Sequence, residues 1–175
     1  MKNRKANRLK GYDYSKNNLY FVTICVQDRV CCFGSVIPIN SANHLEQHLP
    51  DEKAVMNLNS YGIIVQKQIE WLSQQYSYID LHNYVIMPNH IHMLLEIDSN
   101  RIANKEVKIK SLSSLIGAFK TTSSKLIHES GYLGFSWQRS FHDHIIRNEK
   151  AYRNISRYID LNPQKWYQDT FFKSQ

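Results

Sequence analysis

Cysteine is scarce in this 175-residue chain, limited to Cys25, Cys31 and Cys32. An odd number without paired Cys-x-x-Cys spacing points away from a disulfide framework and from a cysteine-held zinc, and it fits a reducing compartment. Long apolar runs are missing as well. Nothing approaches the ~18–20 residues that a membrane-spanning helix needs, and the basic N-terminus lacks the apolar stretch of a signal peptide. There is no internal repeat or low-complexity tract. A soluble, cytoplasmic protein without a membrane partner is expected.

Acidic side chains are the scarcer charge, 15 Asp and Glu against 22 Lys and Arg, which leaves a net charge of +7 and a pI near 9.3. That balance favours a polyanionic partner such as nucleic acid. The cations cluster: Lys2, Arg4, Lys5, Arg8 and Lys10 crowd the first ten residues, and Arg101, Lys105, Lys108 and Lys110 form a second group. A solvated tail and loop are the competing meaning of both groups. The length suits one domain over residues 1–175, with a basic N-terminal arm over 1–16 and a loop or insertion over about 34–59, where Pro38, Pro50 and several Asn and Ser interrupt any period.

Periodicity supplies the layout. Tyr20 to Val26 reads as a first strand, followed by a turn at Gln27–Arg29 and a shorter β-rich run, Val30–Phe33. Tyr61, Val65, Ile69, Leu72 and Tyr76 recur at helical spacing, as do Leu112, Leu115, Ile116, Phe119, Leu126 and Ile127 up to Gly131. Between these helices lie two strands, Ile79–Met87 and His90–Ile97, joined by a tight turn at Pro88-Asn89; a last strand falls within Trp137–Ile146. Strand, helix, strand, strand, helix, strand is the order of an α+β, ferredoxin-like antiparallel sheet with both helices on one face. One more helix follows, from Glu149 to Leu161, with Asn148 as N-cap and Pro163 discouraging helix beyond Asn162.

Two features carry chemistry. Alternation along a strand sends His90 and His92 to one face and Ile91, Met93 and Leu95 to the other, so one face holds a core and the other can hold a cation. On the last helix, ~100° per residue puts Ala151, Asn154, Tyr158 and Asn162 on one stripe, with Tyr152 and Ile159 turned away from Tyr158. Lys150, Arg153 and Arg157 run beside it as a basic stripe. Cutting a phosphodiester needs a cation on the non-bridging oxygens, an in-line nucleophile and a grip on the strand. Two imidazole nitrogens, an Asn162 oxygen and the Tyr158 phenol supply that set, and imidazole alone does not choose among magnesium, manganese and zinc. Asn162 has a second reading, as a cap on the helix end. Asn154 is a further polar candidate or an exposed helix residue.

Other motifs keep two meanings. His142-Asp143-His144 is a second His-x-His, either a rival for the cation or strand packing. Glu96 shares the histidine face, as an outer support or an exposed carboxylate. Lys10, Tyr12, Tyr14 and Lys16 interleave charge with flat rings, which suits phosphates and stacked bases, or else the tyrosines pack in the core.

Taken with Gly11-Tyr12-Asp13-Tyr14 and Tyr20–Cys25, the segments Pro88-Asn89-His90-Ile91-His92, Trp137–Glu149 and Tyr158-Ile159-Asp160-Leu161-Asn162-Pro163 resemble the single-tyrosine His-hydrophobic-His (HUH) transposases, most closely the REP-associated tyrosine transposases. The resemblance runs to about Trp166. It implies Tyr158 as nucleophile, a 5′-phosphotyrosine intermediate with a free 3′ hydroxyl, and magnesium or manganese as cofactor. It further implies single-stranded DNA beside a hairpin or palindrome as partner, a nucleoid-associated place in the cytoplasm, and Asp143, His144 and Arg147 as supporting or DNA-contacting residues. The insertion-sequence relatives carry a glutamine one turn beyond the tyrosine; Asn162-Pro163 departs from that and follows the REP-associated branch. A homodimer is left open. The alternatives are a ferredoxin-like module that binds DNA or RNA without cutting it, and a hydrolase using His90, His92, His144 and water.

Overall fold

The computed structural model describes residues 11–39, 54–103 and 106–172. Its main sheet is built from β1 (Asn18–Cys25), β4 (Ile79–Met87), β5 (His90–Ile97) and β6 (His142–Ile146), antiparallel throughout and in the spatial order β4-β5-β1-β6. Helices α1 (Ser60–Gln75) and α2 (Leu112–Glu129) cover one face, which makes the expected α+β, ferredoxin-like arrangement. Helix α3 (Glu149–Leu161) lies on the opposite face.

Alternation decides what each face holds. Tyr20, Val22 and Ile24 of β1 meet Ile91, Met93 and Leu95 of β5 and, from the helices, Val65, Ile69, Leu115, Ile116 and Phe119. Leu94, Ile146 and Ile159 form a smaller cluster under α3, flanked by Leu19, Phe21, Val85, Tyr152 and Ile155. Burying one such aliphatic side chain contributes about 1.5–3 kcal/mol, so the first face supplies most of the fold's stability.

The caps follow the chemistry of short polar side chains. Asn59 Oδ1 accepts from the Tyr61 and Gly62 amides at 3.0 Å each, and Asn148 Oδ1 accepts from Ala151 at 2.8 Å. The second strand starts later than the run Val30–Phe33 suggests. β2 (Gly34–Pro38) pairs with β3 (Ala54–Leu58) as a separate two-stranded sheet. Residues 30–33 instead pass beneath the Pro88-Asn89 turn, where the Cys32 and Phe33 amides donate to the Pro88 carbonyl at 2.8 and 3.1 Å. Lys10 and the arm before it, residues 40–53 of the expected insertion, and Lys105 lie outside the described residues. Among the described residues no helix is long and apolar enough to cross a membrane.

Candidate active site

A two-residue turn, Pro88-Asn89, brings β5 straight out of β4 and sets His90 as its first residue, paired with Met87. The turn is buried, so its polar groups need partners. Val26 donates to the Asn89 carbonyl at 2.9 Å. The Asn89 amide nitrogen donates to the carbonyls of Arg29 and Phe171, at 3.1 and 2.9 Å, which fixes the direction of the amide and turns its oxygen toward His90 Nδ1 at 2.9 Å. His90 therefore carries its proton on Nδ1 and presents a bare Nε2. The loop that supplies the Arg29 carbonyl bends sharply, with Asp28 and Arg29 both at φ 56°, a conformation that costs non-glycine residues energy.

His92 sits opposite Thr23 of β1, and its Nδ1 is 2.8 Å from the Thr23 hydroxyl. That hydroxyl can donate or accept, so it supports either tautomer of His92. The two Nε2 atoms converge to 3.1 Å. Burial holds both rings neutral: His90 is pushed down to about 2, first by desolvation and then by the charges of His92 and Arg29, and His92 to about 3 by desolvation. The Tyr158 hydroxyl lies 3.3 Å from His92 Nε2. Phe21 stacks on His92 at 5.2 Å and meets Tyr158 edge-on at 6.1 Å. Burial raises the Tyr158 pKa, the Asp169 charge adds to the rise, and the Asn162 side chain opposes it.

Asn162 is the residue that caps the C-terminal end of α3, and its side chain turns into the interior. Its backbone is right-handed helical and its amide N–H bonds to Ile159. The side chain is 1% exposed, and neither its oxygen nor its nitrogen has a full hydrogen-bond partner. A buried amide without partners is costly unless something else satisfies it.

This donor set suits a divalent cation. Two nitrogens each about 2.1 Å from a shared ion would stand about 3.0 Å apart at an octahedral angle and about 3.4 Å apart at a tetrahedral one, and the 3.1 Å between the two Nε2 atoms falls in that span. Their other nitrogens are already held by Asn89 and Thr23, the outer support that metal-binding histidines need. No third His, Cys, Asp or Glu joins them among the described residues. Further ligands would be of the amide, water or phosphate kind.

The remaining candidates separate cleanly. His142 lies in the row of Thr23 and His92, two strand spacings or about 9.6 Å from His92, and both His142 and His144 are exposed, so this pair does not join the first. Arg147 and Asn154 are exposed, and Asp143 lies half-buried on the core side of β6. Glu96 bonds His82 at 3.0 Å rather than either site histidine. Tyr14, expected as a base-stacking ring, is a core residue against Tyr20, and Tyr12 packs half-buried beside it with its hydroxyl accepting from Asn18 at 2.7 Å. Core packing won because the segment before β1 is held against the helix-covered face: Tyr14 stacks on Tyr20, and its carbonyl accepts from the Leu112 amide at the start of α2 at 2.9 Å.

Sequence reasoning missed Thr23, Phe21, Arg29 and Phe171. The Phe171 ring lies 4.6 Å from His90, with Trp166 at 6.0 Å. Arg29 holds this segment down, its guanidinium 4.8 Å over Phe171 and its Nη1 donating to the Thr170 carbonyl at 2.8 Å. His90 and His92 are 0% and 2% exposed under this cover, whereas Tyr158 is 40% exposed. Period-two alternation along β1 would have found Phe21 and Thr23 once β1 was known to neighbour β5. No local signal marks Phe171.

Comparison with known proteins places the chain in a family. A family model described as "Transposase IS200 like" matches residues 55–162. An uncharacterized protein of Haemophilus influenzae is 30% identical over 182 aligned residues, covering 97% of this chain and 93% of the relative. A second Haemophilus influenzae protein, named as a candidate REP-associated tyrosine transposase, is 28% identical over 160 residues, covering 87% of this chain and 74% of its own length. Among solved structures, a REP-associated tyrosine transposase bound to a REP hairpin superimposes with a TM-score of 0.57 at 20% identity, over 90% of this chain and 73% of that one; it shares the fold. The chain belongs to the IS200-like family of single-tyrosine HUH transposases.

Proposed function

We propose that the protein is a metal-dependent single-stranded DNA endonuclease and strand transferase that cuts beside DNA hairpins through a 5′-phosphotyrosine at Tyr158. The observation that carries this reading is the 3.3 Å approach of the Tyr158 hydroxyl to the convergent histidine pair within one chain. Family membership and the hairpin-bound structural neighbour support it.

In this mechanism the Tyr158 oxygen attacks phosphorus, an O–P bond forms, and the P–O3′ bond breaks. The phenol gives up one proton and the departing O3′ takes one up, so the bond energy is retained in the adduct and the reverse reaction rejoins a strand. His90, His92 and the Asn162 oxygen would hold magnesium or manganese, which supplies positive charge against the non-bridging oxygens and the forming phenolate. The chain's own residues prepare the site. Asn89 and Thr23 orient the imidazoles, burial keeps them unprotonated, and Phe21 flanks both His92 and Tyr158. The raised pKa of Tyr158 keeps the free phenol protonated and a weak nucleophile, and a bound cation would supply the positive charge that favours its ionised form. Arg147, His144 and Asn154 are exposed and suited to contact the strand, with Asp143 in a supporting place. Within one chain the Tyr158 hydroxyl already lies 3.3 Å from His92 Nε2, which supports a reaction in cis.

The test is incubation with labelled single-stranded hairpin DNA and manganese or magnesium, followed by a denaturing gel. A covalent adduct that disappears in Tyr158→Phe is expected. Binding without adduct would leave the non-catalytic module, and cleavage without adduct the hydrolase.

A further inference from the structure

Apolar packing under α3 is confined to one small cluster. Ile159 is its one fully buried residue, with Ala151, Tyr152 and Ile155 packed half-buried beside it against Leu94 and Ile146. Beside the approach of Tyr158 to His92, the polar contacts of α3 with the sheet come from one irregularity in the edge strand β4. Its register with β5 runs Asp80↔Glu96 and Leu81↔Leu95, then steps to Asn83↔Leu94, which leaves His82 bulged out. In a regular strand consecutive residues point to opposite faces; the bulge lets His82 and Asn83 both reach α3.

The two side chains grip different turns of the helix. His82 Nδ1 lies 3.2 Å from the Tyr152 hydroxyl while its Nε2 is 3.0 Å from Glu96. The Asn83 amide nitrogen donates to the Asp160 carboxylate at 2.8 Å, the Ser156 hydroxyl at 3.0 Å and the Ser156 carbonyl at 3.4 Å. Ser156 and Asp160 lie two residues before and two after Tyr158, so one amide spans the turn that presents the phenol.

We propose that Asn83 is a positioning residue: from the β4 bulge it clamps Ser156 and Asp160 and thereby sets the Tyr158 hydroxyl at attacking distance from the histidine pair of its own chain. This rests on Tyr158 being the nucleophile. Asn83 touches neither the histidines nor the phenol; it acts only through the helix. Displacing a reacting group by about 1 Å can cost on the order of 100-fold in rate, which gives a clamp of this kind catalytic leverage out of proportion to its share of stability.

Asn83→Asp replaces the donor with an acceptor facing the Asp160 carboxylate and the Ser156 carbonyl. Asn83→Asp combined with Asp160→Asn restores a donor–acceptor pair in reversed polarity. Two measurements are made on each full-length variant: hydrogen exchange of the α3 and β5 amides, and the rate of adduct formation beside the affinity for hairpin DNA. In Asn83→Asp, α3 exchange should rise about tenfold or more with β5 unchanged. Adduct formation should fall roughly 10- to 100-fold while hairpin affinity stays within about threefold. The double variant should recover most of both losses, and Asn83→Ala should show the same pattern more weakly. The proposal is overturned if α3 exchange is unchanged, if β5 opens together with α3, if the adduct rate holds despite faster α3 exchange, or if the double variant stays as low as the single. Should the wild-type protein form no adduct, it is the tyrosine reading that fails, and the exchange pattern still decides whether the bulge holds the helix.

Discussion

Replacing Asn89 with alanine strips three hydrogen bonds from a side chain that is 0% exposed. The Arg29 carbonyl loses a donor at 3.1 Å, the Phe171 carbonyl one at 2.9 Å, and His90 Nδ1–H its acceptor at 2.9 Å. Each buried polar group left unpaired costs about 1–3 kcal/mol. Arg29 and Phe171 both belong to half-buried segments that can turn their carbonyls to water, so the full cost falls on the buried His90 Nδ1–H. A loss of about 1–3 kcal/mol follows, which for a chain of this size is a fall in Tm of roughly 2–12 °C. The same change frees the His90 ring to rotate or switch tautomer, and loss of such an outer contact typically weakens a metal site 10- to 100-fold. Differential scanning calorimetry and titration calorimetry with manganese read the two effects separately. Asn89→Asp keeps an acceptor for His90 but sets a carboxylate against two carbonyls, so it should retain more manganese affinity than alanine while losing at least as much stability. An Asn89→Ala protein within ~1 kcal/mol of wild type, or one binding manganese equally well, would refute the role assigned to this turn.

Removing either imidazole, in His90→Ala or His92→Ala, should abolish measurable manganese binding by calorimetry yet leave hairpin affinity within a fewfold, because the residues proposed to contact the strand, Arg147 among them, are exposed and lie outside the histidine pair. With divalent ions chelated, stability should fall as the solution is acidified below the ordinary histidine pKa of 6.5. The folded state keeps both rings neutral, with pKa values lowered to about 2 and 3, while the unfolded chain takes up the protons; two such groups amount to about 2.5 kcal/mol between pH 7 and 5.5, and urea titrations of a His90→Gln, His92→Gln variant should lack that share of the slope. Phe171→Ala should open the cover over His90 and speed manganese association severalfold in stopped-flow, with equilibrium affinity little changed; an unchanged rate would show that ions enter by another side.

Period and capping made much of the frame readable before any coordinates. The bounds of β4, β5 and α3 are those expected from Pro88-Asn89 at the turn, Asn148 at the N-cap and Pro163 past the end. The stripe rule also put Tyr158 and Asn162 on one side of α3, and the structure brings Tyr158 to the histidine pair. Long-range placement was not readable. Whether Tyr14 meets a base or the core depends on β1 and α2, far from it in sequence or unrelated to its local pattern. The bulge at His82 leaves no trace in composition, because a strand of the same residues without it would read identically. The left-handed pair Asp28-Arg29 and the Phe171 cover arise from tertiary contacts, where local preference is overridden.

Mass spectrometry of the protease-digested protein after reaction with hairpin DNA and manganese tests the chemistry most directly. The peptide holding Tyr158 should carry a nucleotide joined through its 5′ phosphate, with the other DNA fragment ending in a free 3′ hydroxyl. Linkage through a 3′ phosphate, attachment to a different residue, or cut DNA with no modified peptide would contradict it.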